Sequence, residues 1–256
     1  MTPKLNGHDR ELLEFVANAQ RVTHRQLLEV ALIKRVEKDR KTFEWRVARL
    51  AESGLLKKER PEFLNRTILY TITRMGILAL ENLGVHMLSL YVAPDESNVK
   101  HQIPHSLELN RINIALMKSG ALFAWTPAHA VRVLYRFDKS SYAKVYDAVT
   151  TLVIDNEVYT VGVEYERSLK PAEKYVKILS QLSNRDQVDA VVYLCPNHMV
   201  LRSIRQVFGS FVKKPVLVAD HELFIADVLD APLDWCYRET TLRLALPQLC
   251  QRNGYK

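Results

Sequence analysis

Two apolar runs separated by a short polar segment constrain the fold of this chain more than any other feature. The first run is Val145-Tyr-Asp-Ala-Val-Thr-Thr-Leu-Val-Ile154, and the second is Val158-Tyr-Thr-Val-Gly-Val-Glu-Tyr-Glu166. The intervening Asp155-Asn156-Glu157 is a polar turn signal, so the sequence predicts a β-hairpin. The two runs should therefore be antiparallel neighbours in one sheet.

Three carboxylates are expected to converge on this hairpin. A turn at Asp155-Asn156 places Asp147 opposite Glu164, whereas a turn at Asn156-Glu157 places Asp147 opposite Glu166. In either register the three acids share one face, because strand side chains alternate; a three-residue loop or a bulge would change this parity. Cross-strand neighbours lie about 5 Å apart, and like charges that close need a cation between them. The pattern predicts a divalent metal site formed by Asp147, Glu164 and Glu166, with Glu108 as a weaker ligand candidate.

The composition indicates a globular cytoplasmic protein with no membrane partner. The 256 residues suit one or two domains, and no apolar run approaches the roughly 20 residues that span a bilayer. The N-terminus has no apolar secretion signal, and the three widely spaced cysteines fit reduced thiols. The sequence also lacks a P-loop, a dinucleotide-binding glycine motif and an HExxH motif, which excludes three common enzyme classes.

Positive charge is concentrated in one window. The chain carries a net charge of +7, and residues 34–66 hold eleven basic and six acidic side chains, a local excess of +5. A polyanionic partner would be sought first on this segment.

The N-terminal third has a regular order of predicted elements. Apolar spacing and capping residues predict a helix over 9–19, a helix after the N-cap Thr23, a third helix over 41–53 ended by Gly54, a strand–loop–strand segment over 55–72, and a fourth helix from Thr73.

This order resembles the winged helix-turn-helix family of DNA-binding domains. The resemblance is carried by Arg49-Leu-Ala-Glu-Ser-Gly-Leu-Leu56 and by Tyr70-Thr-Ile-Thr-Arg-Met-Gly76. It implies that the third helix enters the major groove and that the wing contacts phosphates. The DNA-binding residues implied are Arg40, Lys41, Trp45, Arg46 and Arg49 on the helix, and Lys57, Lys58, Arg60 and Arg66 on the wing. An alternative is that these charges only solvate a helical surface and that Trp45 is a core or dimer residue.

The remainder of the chain alternates strands and helices. After a linker at 91–104, the pattern predicts a helix from His105, a strand near 131–135, the acidic hairpin, a helix after Pro171, a buried strand at 188–194 and a helix at 199–208. The tail, 229–256, contains a segment typical of an interface helix.

This succession resembles the PD-(D/E)XK nuclease fold, with Asp147 as the first motif acid and Glu164 as the second. Together with the first segment, the chain resembles the replication-relaxation family of plasmid and integrative-element proteins. The expected fold class is α+β or α/β: a winged helix-turn-helix domain at 1–90, then a PD-(D/E)XK nuclease-like α/β domain at 105–228 with a mixed central sheet. Mg²⁺ or Mn²⁺ would be the cofactor if the second domain binds one.

One position departs from the nuclease motif. Active members carry lysine two residues after the second acid, where this chain has Glu166. Lys170 and Lys174 are candidates for a relocated lysine, which would stabilise negative charge on the phosphate.

The preferred interpretation is a double-stranded DNA-binding protein of a bacterial mobile element, acting in replication, conjugative transfer or transcriptional regulation, with an inactive nuclease-like domain. A homodimer and a relaxase or replication protein are the expected protein partners. The alternative is a divalent-metal-dependent endonuclease that cleaves or nicks DNA.

Overall fold

The computed structural model describes residues 5–85, 99–138, 142–184, 187–211 and 213–252. The chain is of mixed α+β class and divides into two compact units, Met1–Ile114 and Ala115–Lys256. None of the helices within the described ranges is both long enough and apolar enough to cross a bilayer.

Within its described residues 5–85, the first unit combines four helices with a small antiparallel sheet. Its elements are α1 (Gly7–Ala19), β1 (Val22–Thr23), α2 (His24–Ile33), α3 (Arg40–Glu52), β2 (Leu56–Glu59), a single 3₁₀ turn (Glu62–Leu64), β3 (Leu69–Ile72) and α4 (Arg74–Asn82). The strands lie in the order β1-β3-β2, with Lys58 opposite Tyr70. Leu12, Leu27, Phe43 and Leu50 are fully buried, so the apolar stripes of the helices share one core.

Local capping explains where these helices begin and end. Thr23 forms a capping box with Gln26 at the start of α2, which confirms its predicted role. The carboxylate of Asp39 accepts the backbone N–H of Thr42 at 2.9 Å and caps α3. Gly54, with φ of +74°, follows the last turn of α3 and provides the left-handed residue that ends it.

A long helix, α5 (Val99–Ser119), begins in the first unit and ends in the second. Residues 91–98 of the predicted linker lie outside the described ranges, and 99–104 belong to α5. The helix therefore starts six residues before His105.

The second unit is built on a seven-stranded mixed sheet. Its remaining elements are β4 (Leu122–Pro127), α6 (Ala128–Phe137), β5 (Ala148–Ile154), β6 (Glu157–Tyr165), α7 (Ala172–Leu182), β7 (Ala190–Cys195), α8 (His198–Phe208), β8 (Val216–Asp220), α9 (His221–Ala226), β9 (Leu233–Trp235), β10 (Arg238–Thr240) and α10 (Leu242–Arg252). The strand order is β10-β9-β8-β7-β6-β5-β4. The central strands β6, β7 and β8 are parallel and are connected through α7 and α8, whereas the other pairs are antiparallel. The prediction of a mixed central sheet is confirmed.

The acidic hairpin adopts the first of its two predicted registers. Ile154 pairs with Glu157, which leaves Asp155 and Asn156 as the two turn residues, with φ of +51° and +67°. Positive φ at both central positions is the geometry that favours tight hairpins. Gly162 allows close packing here, because a Cβ at that position would lie 2.9 Å from the ring of Tyr146.

Two further segments differ from their predictions. Residues 131–135 were expected to form a strand, but they lie in the middle of helix α6. The apolar residues Val131, Leu134 and Tyr135 pack towards the core at helical spacing, so a period of 3.6 residues fits the segment better than a period of two. In the tail, where only a helix was expected, strands β9 and β10 extend the sheet before helix α10 begins.

Candidate functional site

The three predicted carboxylates lie at one end of the hairpin. Glu164 is the penultimate residue of β6, Glu166 follows the strand, and Asp147 immediately precedes β5. The hairpin register places Asp147 opposite Glu164, and the backbone N–H of Tyr165 donates to Asp147 Oδ2 at 3.0 Å. Glu164 also lies beside Tyr193 of the neighbouring parallel strand β7.

A lysine that the sequence did not indicate as functional joins this group. The ammonium of Lys144 forms an ion pair and hydrogen bond with Glu164 Oε1, and the two side chains are only 11% and 7% exposed. Lys144 Nζ also lies 5.0 Å from the ring centroid of Tyr146, within range of a cation–π attraction. Lys144 precedes Asp147 by three residues, and this closeness in sequence is the one signal that could have suggested its role.

Lys170 and Lys174, the two candidates for the relocated nuclease-motif lysine, differ in their contacts. Lys170 forms an ion pair with Glu166 and its backbone N–H donates to the hydroxyl of Tyr175 at 3.1 Å. Lys174 is exposed on α7 and forms no ion pair with any residue in the described ranges. The structure therefore brings Lys170 into the group and leaves Lys174 outside it.

The hydroxyl of Tyr193 is a further polar group at this end of the sheet. Tyr193 is fully buried, and its hydroxyl has no hydrogen-bond partner among the described residues. Burial raises the pKa of Tyr193 well above its ordinary value, and the charges of Glu164, Glu166 and Asp147 add to the effect. The Tyr193 hydroxyl therefore stays protonated and can donate a hydrogen bond. We call Asp147, Glu164, Glu166, Lys144, Lys170 and Tyr193 the acid–lysine cluster.

Burial raises the pKa of Glu164, whereas the nearby Lys144 ammonium lowers it. Loss of water raises the pKa of Glu164 to about 7, Asp147 reinforces this increase, and the Lys144 ammonium opposes it. The group consequently exchanges its proton near neutral pH, whereas an exposed glutamate would be fully ionised there.

The donor chemistry of the cluster suits a divalent cation, but its arrangement does not. Oxygen ligands from three carboxylates are the set that Mg²⁺ and Mn²⁺ prefer. However, lysine ammonium groups contact both Glu164 and Glu166, and Asp147 accepts a backbone hydrogen bond. Among the described residues, the ligand oxygens of Asp147, Glu164 and Glu166 do not all lie within 4.8 Å of one another, so the three carboxylates do not form a ready-made metal site.

The predicted DNA-binding residues fall into two groups, of which the first is exposed. Trp45 is 66% exposed on α3, and Arg40 and Lys57 are exposed but pair with Glu44 at 2.7 Å and Glu59 at 2.5 Å. Four further residues of the predicted set are exposed and form no ion pair with any described residue: Lys41 on α3, Lys58 on β2, and Arg60 and Arg66 in the loop between β2 and β3.

The second group points into the protein. Arg46 Nη1 donates to the buried Asp9 Oδ1 at 2.8 Å, its Nε pairs with Glu37, and Arg49 also pairs with Asp9. Burial alone would raise the pKa of Asp9, but hydrogen bonds from Arg49 and Arg46 hold it below the ordinary value. Arg46 and Arg49 thus connect α1 to α3 and are poorly placed to contact a phosphate. The Arg49 guanidinium carbon lies 5.6 Å from the Trp45 ring centroid.

A cleft of about 460 Å³ lies between α3 and the strand pair. Its wall includes His24, whose Nδ1 is 3.0 Å from the Tyr70 hydroxyl, together with Arg40, Glu44 and Lys58. Burial lowers the pKa of His24, so the ring is neutral at physiological pH. The sequence indicated Arg40 and Lys58 but gave no reason to single out His24 or Tyr70.

Neither a protein-family model nor a curated protein sequence gives a significant match to this chain.

Proposed function

We propose that the first unit binds double-stranded DNA as a winged helix-turn-helix domain. The order of helices and strands in this unit supports that proposal. So does the exposure of α3, which begins with Arg40 and Lys41 and displays Trp45. In this class of domain the third helix enters the major groove and the hairpin loop lies along the backbone.

The observation that carries the proposal is the set of exposed cations without ion-pair partners among the described residues. Lys41 lies on α3, and Lys58, Arg60 and Arg66 lie on the strand pair and its loop. A lysine or arginine that is not neutralised within the protein can release counterions from DNA when it meets a phosphate. In contrast, Arg46 is held by Asp9 and Glu37, so its charge is already compensated.

Binding of a labelled DNA duplex, followed by fluorescence anisotropy at increasing NaCl concentration, tests this proposal. We expect affinity to fall steeply with salt and to be abolished by Lys41→Glu combined with Lys58→Glu. Lys213→Glu, which reverses an exposed charge in the second unit, is the matched control and should bind as the unchanged protein does. Equal affinity of the double variant and the control would remove the basis of the proposal.

A role in a bacterial mobile element follows from the resemblance to the replication-relaxation family. We propose, on that resemblance, that the chain acts as a homodimer in replication, conjugative transfer or transcriptional regulation, with a relaxase or replication protein as a partner. Winged-helix dimers read paired half-sites, so a duplex with an inverted repeat should bind two chains. Analytical ultracentrifugation of the DNA complex measures that stoichiometry.

A second candidate function is cleavage of DNA by the second unit. The observation that favours it is the convergence of Asp147, Glu164 and Glu166 with two lysines at the end of parallel and antiparallel strands. Incubation of supercoiled plasmid with the protein and Mg²⁺ or Mn²⁺, beside Asp147→Ala, distinguishes the two functions. Nicking that the substitution abolishes would establish the enzyme; intact plasmid with retained DNA binding would support a binding protein alone.

A further inference from the structure

We infer that the cleft between α3 and the strand pair is a binding site for a purine mononucleotide, with the phosphate at the cationic end of the cleft and the base amino group on Glu44. DNA competes for the same cations, so the nucleotide is an inhibitor of DNA binding. This competition rests on the proposed function of the first unit, whereas binding of the nucleotide does not.

The shape of the cleft comes from small side chains on α3. Its volume of about 460 Å³ falls in the range of small-molecule sites, roughly 300–1,000 Å³. Glu44, Ala48 and Glu52 follow one another at intervals of four residues and line the same side of the helix. Because the middle residue of this row is an alanine, the helix surface is recessed between the two glutamates. Ala51 and Ile68 also line the cleft, and they provide an apolar wall against which a planar base can pack.

Positive charge dominates the end of the cleft that contains His24. Burial lowers the pKa of His24, a nearby carboxylate opposes this change, and the positive charges of Arg40 and Lys58 reinforce it. Arg60 acts electrostatically on the hydroxyl of the neighbouring Tyr70. Neither Lys58 nor Arg60 forms an ion pair with another residue in the described ranges. These cations therefore favour an anionic group, and a phosphate is the anion that lysine and arginine bind most strongly.

Glu44 is held in place as a hydrogen-bond acceptor beside this cationic end. Its Oε1 lies 2.7 Å from Arg40 Nε and 3.9 Å from His24 Nε2. The His24 ring is itself fixed, because its Nδ1 is 3.0 Å from the Tyr70 hydroxyl and its edge packs on Phe43. A carboxylate can accept about four hydrogen bonds, so Glu44 retains capacity for a ligand. Carboxylates accept hydrogen bonds from the exocyclic amino groups of nucleobases, and adenine and guanine both carry one.

The combination of these three surfaces selects the class of ligand. Inorganic phosphate would occupy the cationic end alone and would leave the apolar wall and Glu44 in contact with water. A purine mononucleotide carries a phosphate, a planar apolar face and an amino group in one small molecule, so it matches every part of the lining. Lys58 is also one of the cations proposed to contact DNA phosphates, so the nucleotide and the duplex exclude each other at this position.

Isothermal titration calorimetry of the full chain with GMP and with AMP tests the inference. We expect saturable binding in the sub-millimolar range, and binding of inorganic phosphate at least about tenfold weaker. Ala48→Leu fills the cleft and should weaken nucleotide binding by at least about tenfold. Ala48 is exposed and leucine favours helices, so this variant should fold. Ala172→Leu, at an exposed alanine on α7 in the second unit, is the matched control and should bind as the unchanged protein does.

Each result of the titrations bears on the inference. It is overturned if neither nucleotide binds saturably, or if inorganic phosphate binds as tightly as they do, which would indicate a simple anion site. Nucleotide binding that Ala48→Leu leaves unchanged, or that Ala172→Leu weakens equally, would place the ligand elsewhere and contradict it. If circular dichroism shows that Ala48→Leu is unfolded, Glu44→Gln replaces it: a loss of about tenfold or more supports the inference, and unchanged affinity contradicts it.

Displacement of a labelled DNA duplex by GMP tests the competition. We expect the fluorescence anisotropy of the duplex to fall as GMP is added, and to fall less with inorganic phosphate at the same ionic strength. A duplex that stays bound when GMP saturates the protein would overturn the competition. A protein that binds GMP but no duplex would contradict the proposed function and the competition with it, while the calorimetry would still establish the nucleotide site.

Discussion

Arg46 Nη1 lies 2.8 Å from Asp9 Oδ1, and this contact joins the third helix of the first unit to its first helix. Asp9 is completely buried and also accepts from Arg49 and from the backbone N–H of Asn6. Two cations that the sequence assigned to DNA recognition therefore stabilise the domain from within. Their partner lies 37 residues away from Arg46, which explains why local patterns did not reveal it.

Asp9→Ala should strongly destabilise the first unit. Removing the carboxylate leaves Arg46, whose side chain is 12% exposed, with its charge only partly compensated by Glu37. Loss of one partner of a buried ion pair costs about 3–5 kcal/mol in the free energy of unfolding, which urea denaturation measures. Glu14→Ala removes the partner of Arg10 in an exposed pair at 3.8 Å and should cost less than about 1 kcal/mol. Similar losses in the two variants would contradict the structural role of Asp9.

Neutralising single cations on β2 and on the loop between β2 and β3 should reduce the salt dependence of the proposed DNA binding. Lys58→Gln, Arg60→Gln and Arg66→Gln should each reduce the slope of log affinity against log salt concentration by about one, because each removes one phosphate contact of the proposed DNA complex. Arg46→Gln should lower stability instead, since its guanidinium is engaged by Asp9. Titrations at several NaCl concentrations measure the slopes, and an unchanged slope in all three wing variants would argue against a phosphate-binding loop.

Glu164 should make the second unit less stable as the pH rises through neutrality. Its pKa is about 7 in the folded protein against an ordinary value of 4.5, so the folded state holds the proton more tightly than the unfolded chain does. The resulting stabilisation is complete below about pH 4.5 and is lost as the pH rises through about 7. Glu164→Gln stays neutral at every pH and should remove up to about 3 kcal/mol of pH dependence between pH 5 and pH 8. Urea denaturation at both pH values provides the comparison; identical pH profiles of the two proteins would show that Glu164 titrates normally.

Gly76→Ala should destabilise the start of helix α4. A Cβ at Gly76 would lie 2.4 Å from the backbone oxygen of Leu55 and 2.7 Å from Ile72, so backbone atoms would have to move. Overpacking of this kind costs about 1–3 kcal/mol in unfolding free energy. Gly7→Ala is the matched control, because a Cβ there has no neighbour within 4 Å and alanine favours helix α1. We expect thermal denaturation to show a lower midpoint for Gly76→Ala and an equal or higher midpoint for Gly7→Ala.

Local sequence signals predicted much of the fold. The Thr23 cap, the end of α3 at Gly54 and the turn at Asp155-Asn156 each depend on side chains within a few residues of one another. Alternation predicted that Asp147 and Glu164 share one face in either of the two possible registers, and the observed turn at Asp155-Asn156 selects the register in which they lie opposite each other. Residues 131–135 were expected to form a strand, but four of the five are apolar, and a short apolar run of this kind does not distinguish a strand from a buried helix turn.

The lysines of the second unit show where sequence reasoning stops. Lys170 was identified because it follows the acidic strand closely, and it does contact Glu166. Lys144 and Tyr193 were missed because Glu164, which both of them neighbour, lies on a different segment of the chain, and its position beside them depends on the register of the assembled sheet. Arg46 and Arg49 were assigned to a surface for the same reason: nothing near them in sequence shows that a buried aspartate will meet them.

The ion pair between Lys144 and Glu164 also has a consequence for how the protein is made. A counter-charge attached to the backbone arrives with the nascent chain, in fixed stoichiometry, and no chelator can remove it. The second unit can therefore compensate its converging acids wherever it is synthesised, whatever ions the surrounding fluid provides.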